Sequence, residues 1–243
     1  MYPDSIYIKP ALSYIIGSFP GETAVILKNS SVDSLEQFQI EELIEFGNKK
    51  KLKLHRFKKT MVLPRVSKVL GYLKGIYPQT ILDIGTGRGV FLWPLLDAFP
   101  NLEVTCADIL PYHIQFLEAV KAGGMNNIQP VLQDIGKLDF GHKSFDVVTF
   151  LETLEHVPNP EKALRNAFRM AKKALILSVP SKEDDNPEHI HLLKEDFFTG
   201  YFVNRTDCKV SFDYVLNHLI VLVFKKYTKK DLLHTPFYVY GIL

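Results

Sequence analysis

Residues 81–89 read Ile-Leu-Asp-Ile-Gly-Thr-Gly-Arg-Gly, an apolar run that ends in an acid and turns at once into three alternate glycines. Few local patterns restrict a fold as much. The run reads as a buried parallel strand, and the glycines supply backbone angles closed to other residues where the chain leaves that strand for a helix. Parallel strands need helical crossovers, so strands and helices should alternate downstream. They do: a helix is expected over 90–99, strands over 102–107, 128–133, 144–150 and 174–179, and helices over 112–122 and 161–172. A short helix over 193–201 then leads to two strands, 208–214 and 218–224, which read as a closing hairpin.

Upstream, Val66, Val69, Leu70, Leu73 and Ile76 mark one face of a helix over 63–77, entered through Pro64. A second helix is expected over 35–47, with apolar residues at 35, 38, 43 and 46 and Gly47 suited to stop it. Residues 1–40 show no sustained periodicity. The expected organisation is therefore a partly helical extension over 1–62 and an α/β domain over 63–243. With 47% hydrophobic and 23% charged residues in 243, the chain can bury a full core. The start of the chain is interrupted by Asp4, Lys9 and Pro10, and nothing approaches the roughly 20 apolar residues of a membrane span, so a cytoplasmic protein is expected. Cys106 lies inside a strand and Cys208 far from it, and no disulfide is expected.

The glycine spacing bears on the ligand. A dinucleotide loop of the form GxGxxG would place its third glycine at position 90, where Val90 stands. Asp83, two residues before Gly85, suits a cationic amine and would repel a pyrophosphate. The second strand ends at Asp108-Ile109, about 20 residues past the loop, where a carboxylate can meet the hydroxyls of a ribose.

The stretch Asp83-Ile84-Gly85-Thr86-Gly87-Arg88-Gly89 resembles motif I of the class I S-adenosylmethionine-dependent methyltransferases. The resemblance extends over about residues 63–225. It implies a Rossmann-like, seven-stranded, mostly parallel sheet with an antiparallel last strand, and S-adenosylmethionine as cofactor. It further implies that Asp134-Ile135 meets the adenine, the acid on its amino group and the apolar neighbour on the ring, and that Leu151 borders the cofactor.

The segment 150–160, Phe-Leu-Glu-Thr-Leu-Glu-His-Val-Pro-Asn-Pro, starts at a strand end, where open α/β sheets bind ligands. As one helical turn it would bring Glu152, Glu155 and His156 to one face. The block resembles ubiquinone-pathway O-methyltransferases. It is also similar to small-RNA 2′-O-methyltransferases, in which such residues and a later histidine hold a divalent metal. His189 and His191 follow the fifth strand, and their alternation allows one of them to face the site. Three roles stay open for the block: a metal set of Glu152, Glu155, His156 and His189; catalysis by His156 with Glu155, the imidazole removing a proton from a hydroxyl acceptor; or simple orientation of the acceptor. Residues 181–191 are expected to form a lid over it.

Seven Lys or Arg fall within residues 49–59, a run that suits either an RNA or a solvated helix face balanced by Glu36, Glu41, Glu42 and Glu45. A net charge of +2 favours a small-molecule acceptor, O- or N-methylated, over RNA. A dinucleotide-dependent oxidoreductase and a non-catalytic cofactor-binding module are the competing classes.

Overall fold

A computed structural model of the chain describes residues 5–59, 62–137 and 140–226. Seven strands form one sheet: β1 (Thr80–Ile84), β2 (Glu103–Asp108), β3 (Ile128–Leu132), β4 (Phe145–Leu151), β5 (Ala171–Pro180), β6 (Cys208–Val215) and β7 (His218–Lys225). Their order is β3-β2-β1-β4-β5-β7-β6, and only β7 runs against the others. The order reverses beside β1, so the glycine loop leaves the sheet at a switch point, where open α/β sheets form their ligand crevice. Strand β1 is packed on both faces. Ile81 joins a core containing helices α4 (Pro64–Ile76), α5 (Leu92–Ala98) and α6 (Pro111–Ala122). Leu82 and Ile84 join the opposite core with α7 (Pro160–Met170) and α8 (Glu195–Phe202). Cys106 and Cys208 are buried free thiols, and no described helix is long and apolar enough to cross a membrane.

Several boundaries differ from the sequence reading for identifiable reasons. The turns of the glycine loop persist through Val90, so α5 starts at Leu92. Ala171 and Lys172 read as the end of a helix, yet Ala171 pairs with Phe145 and opens β5, because sheet pairing overrides local propensity. Gly47 does not end its helix. That helix, α3, covers Gln37–Lys49, and a Cβ at Gly47 would lie 2.9 Å from the Ile15 side chain, so the glycine is there for close packing.

Residues 1–40 contain two helices that the sequence reading left undefined, α1 (Ile8–Ser18) and α2 (Pro20–Leu27). The signal was present: Ile8, Ala11, Leu12, Ile15 and Ile16 recur at helical spacing, and Pro10 lies in the first turn, where an amide N–H has no helical partner anyway. Helix α1 lies against α6 at backbone distance. A Cβ added at Gly17 would fall 1.8 Å from the Ala119 carbonyl oxygen, and one at Gly123 would fall 1.8 Å from that of Ser13. Around this crossing Tyr14, Phe57, Trp93 and Phe116 make a tilted and edge-on aromatic cluster. Helices before Pro64 therefore share one core with α4–α6.

Gly123→Ala should destabilise the protein by about 2–3 kcal/mol in urea unfolding, because the clash is with backbone and cannot relax by a rotamer change. Gly75→Ala, in α4 with nothing near its Cβ position, should be neutral or stabilising by about 0.5–1 kcal/mol.

Candidate functional site

The glycine loop is held at positive φ at Gly85 (76°) and Gly89 (85°), and neighbouring side chains occupy the space beside both. A Cβ on Gly85 would sit 2.2 Å from Thr153 Oγ1, and one on Gly89 would sit 2.3 Å from the Trp93 indole. Trp93 in turn donates from Nε1 to the Arg88 carbonyl at 3.0 Å. The loop bounds a cavity of about 400 Å³ walled by residues 85–88, Asp83, Leu151 and Glu152, with Arg65 and Val66 from α4 and His113 from α6.

Asp83 is buried at the end of β1, and Thr149 Oγ1 from β4 donates to its carboxylate at 2.7 Å. Burial pushes its pKa up to about 6 against the hydroxyl's opposing effect. Across the cavity Arg65 leans on Glu152, with Nε 3.7 Å from Oε1. Asp108, at the tip of β2, accepts from the Gly87 N–H at 2.8 Å, the Leu110 N–H at 2.9 Å and His113 Nδ1 at 3.1 Å. Asp134 follows β3 and receives the Gly136 N–H at 2.7 Å. Ile135, expected beside an adenine ring, turns into the second core instead, while Ile109 and Leu132 stand exposed at the adjoining strand tips.

Beyond β4 the segment does not form the single helical turn expected of it. Glu152 takes a left-handed backbone, φ 50°, and only Leu154–His156 make a turn, of the tighter 3₁₀ kind. Glu152 is therefore separated from Glu155. Its carboxylate accepts from Ser178 Oγ at 2.7 Å and lies 3.1 Å from His218 Nε2. Glu155, His156 and His189 do converge, each offering a ligand atom within 4.8 Å of the others. Glu155 is fully buried, and neither carboxyl oxygen has a hydrogen-bond partner among the described residues. Burial raises its pKa to about 8. Both imidazoles are fastened at Nδ1, His156 on the Glu188 carbonyl at 2.8 Å and His189 on Asp184 at 2.8 Å, which leaves each Nε2 free; that of His189 lies 4.0 Å from Glu155. His191 points away, to the Val157 carbonyl. Residues 181–191 lie against this turn, with the Ile190 and His191 N–H groups donating to the Glu155 carbonyl. None of the three clustered residues is among those lining the cavity.

Arg65 and His218 were not singled out from sequence because each reaches Glu152 only from a distant part of the chain; His113 and Asp184 bond to residues close by in sequence, Asp108 and His189, but no local pattern marks either pair. The basic run is largely occupied. Lys49 pairs with Glu45, Lys50 with Glu22, and Lys59 with Asp97, while the Arg56 guanidinium sits 4.7 Å from the Phe116 ring centroid.

Sheet order, glycine loop and acidic strand tips together define the Rossmann-like class I methyltransferase fold. The chain belongs to the family described as methyltransferase domain, whose model matches residues 53–209, more than half of its length. It is 33% identical over 98 residues to the tRNA N(3)-methylcytidine methyltransferase trm141 of Schizosaccharomyces pombe, covering 39% of each chain. To the ubiquinone biosynthesis O-methyltransferase of Vibrio campbellii it is 32% identical over 111 residues, covering 44% of this chain and 46% of that one. The chain thus spans less than half the length of these curated relatives. A SAM dependent methyltransferase from Aquifex aeolicus shares the fold over 68% of this chain and 92% of its own, with a TM-score of 0.54 at 20% identity. Family membership places the glycine loop with methyltransferases rather than with dinucleotide oxidoreductases.

The raised pKa values of Asp83 and Glu155 set a pH dependence. Folding raises both pKa values, so the native state binds these protons more tightly than the unfolded chain. The resulting stability is complete below their ordinary values of 3.8 and 4.5 and is lost as pH rises through about 6 and about 8. In chelator, the thermal midpoint should fall between pH 5 and 8, and Glu155→Gln should flatten the upper half of that fall. A wild-type midpoint independent of pH over this range would show that neither carboxyl is held neutral.

Proposed function

We propose that this chain transfers the methyl group of S-adenosylmethionine to a hydroxyl or amine of a small molecule. The observation that carries the reading is the charge layout of the cavity. A buried carboxylate, Asp83, and a guanidinium, Arg65, stand where an amino-acid tail would need one anion and one cation, and Asp108, bonded to the Gly87 N–H just behind the cavity wall, is placed for a ribose. Asp83 has no cationic partner among the described residues, and an ammonium is the ligand group that would offset its desolvation. Ile109 and Leu132, exposed at the strand tips, would cover the adenine, with Asp134 beside them.

Methyl transfer requires sulfur, carbon and acceptor in line, so the chain acts chiefly by positioning. Arg65 and Asp83 hold the tail, Asp108 holds the sugar, and the Gly85–Thr153 contact sets the distance between the cofactor loop and the segment after β4. An oxygen acceptor must also lose a proton as the methyl arrives. His156, with Nδ1 tied to a carbonyl, has Nε2 available to take it.

Glu155, His156 and His189 also fit a divalent cation. A buried carboxyl group with no hydrogen-bond partner among the described residues, beside two imidazoles fastened at Nδ1, is a ligand set whose imidazoles already have their outer hydrogen bonds. A cation held there would lower the pKa of an acceptor hydroxyl. His156 Nε2 serves as ligand or as base, not both at once. Glu152 lies outside this set. The relative from Schizosaccharomyces pombe, named for tRNA, supports an RNA acceptor as a second reading. The internal partners of Lys49, Lys50, Arg56 and Lys59 leave fewer free cations on the basic run than such a partner would use.

Calorimetric titration with S-adenosylmethionine tests the cofactor reading. Asp83→Asn should weaken binding about tenfold or more at pH 7.5. Wild-type affinity should fall as pH drops below about 6, where Asp83 takes up a proton, and the variant should lose that pH dependence. Binding by Asp83→Asn as tight as by wild type would refute the assigned role. For the cation, metal analysis after equilibration with Mn²⁺ or Zn²⁺ should find one ion per wild-type chain and none in Glu155→Gln.

A further inference from the structure

Asp108 has less capacity for a ligand than its place at the strand tip suggests. A carboxylate offers about four lone-pair positions. Three are taken within the protein, by the Gly87 N–H and His113 Nδ1 on Oδ2 and by the Leu110 N–H on Oδ1. A vicinal diol presents two O–H donors, so Asp108 has room for one hydroxyl and leaves the other without an acceptor.

His113 stands where that acceptor is missing. Its ring borders the cavity, and its Cε1 lies 3.8 Å from the position a Cβ would take on Gly87. Asp108 has no proton to give when ionised, so the hydrogen of their contact is on His113 Nδ1, and the lone pair of the neutral ring is then on Nε2. Nε2 has no hydrogen-bond partner among the described residues. The ring is well supported. It packs edge-on against Tyr112 at 4.4 Å between centroids, on a helix that α1 grips through Gly17 and Gly123.

We propose that Asp108 and His113 read the cofactor's ribose as a pair, one hydroxyl donating to the Asp108 carboxylate and its neighbour to His113 Nε2. The inference rests on the cofactor reading above and adds to it a residue that selects a ribonucleoside carrying both hydroxyls. Because the Asp108–His113 bond already exists in the ligand-free fold, the pair is set before the cofactor arrives.

The test compares S-adenosylhomocysteine with its 2′,3′-dideoxy counterpart by calorimetry on wild type, His113→Ala and His113→Phe, the last keeping the ring's bulk without its nitrogens. Wild type should bind the ribose form at least tenfold more tightly than the dideoxy form. Both variants should lose about tenfold for the ribose form and almost nothing for the dideoxy form. Equal losses for both ligands would show that His113 only supports the loop, and no loss for either would remove it from the site; each result overturns the pair. Failure of wild type to bind either ligand would instead refute the cofactor reading itself, and the pair with it.

Discussion

The site depends on one carboxylate buried with no counterion among the described residues. Asp83 lies one residue before the end of β1, with β2 on one side and β4 on the other, and the register sets it level with Cys106 and Thr149. Among the described residues, the side-chain hydroxyls of Thr149 and Thr86 oppose its desolvation. A fold tolerates such a group where a ligand completes it, and strain of this kind collects at functional sites. The loop glycines, the packing of Trp93 behind them and the opening of the cavity toward Arg65 all follow from placing a strand end, rather than a turn, against the ligand.

The second centre is separate in construction. Glu155 is buried by the 3₁₀ turn after β4 and by residues 181–191, and it faces two imidazoles instead of the cavity. What joins the two centres is Thr153, whose side chain occupies the space that a side chain at Gly85 would need. A shift of the segment after β4 would therefore be felt at the cofactor loop. The left-handed Glu152 is the pivot of this arrangement. It sends its carboxylate to Ser178 and His218 on the neighbouring strands, and so releases the next turn to aim elsewhere.

Legibility in the sequence followed the range of the forces involved. Strands β1, β2 and β4 were readable because a parallel strand buried on both faces is apolar nearly throughout. Asp83 and Asp108 were readable because their place at strand tips is set within a few residues. The common face assigned to Glu152, Glu155 and His156 was not sound, since it assumed α-helical spacing in a segment whose backbone angles are set by pairing of Glu152 N–H with the Ser178 carbonyl. Helix α1 was missed although its apolar spacing was regular, because a proline and a short length hid it. Ile135 was placed on the wrong side of its loop for a related reason, as nothing local distinguishes an apolar residue facing a ligand from one facing a core.

By itself, the sequence determined the order of strands and helices, the position and glycine chemistry of the cofactor loop, and the acids that flank it. These are consequences of periodicity and of backbone angles, both local. Only the tertiary structure decided that Arg65 and His113 join the cavity, that His189 rather than His191 meets Glu155, and that Glu152 stands apart from both. Such choices depend on contacts between residues dozens of positions apart. Their geometry is set by sheet register and by how closely two helices approach, and neither quantity is encoded in any short stretch of chain.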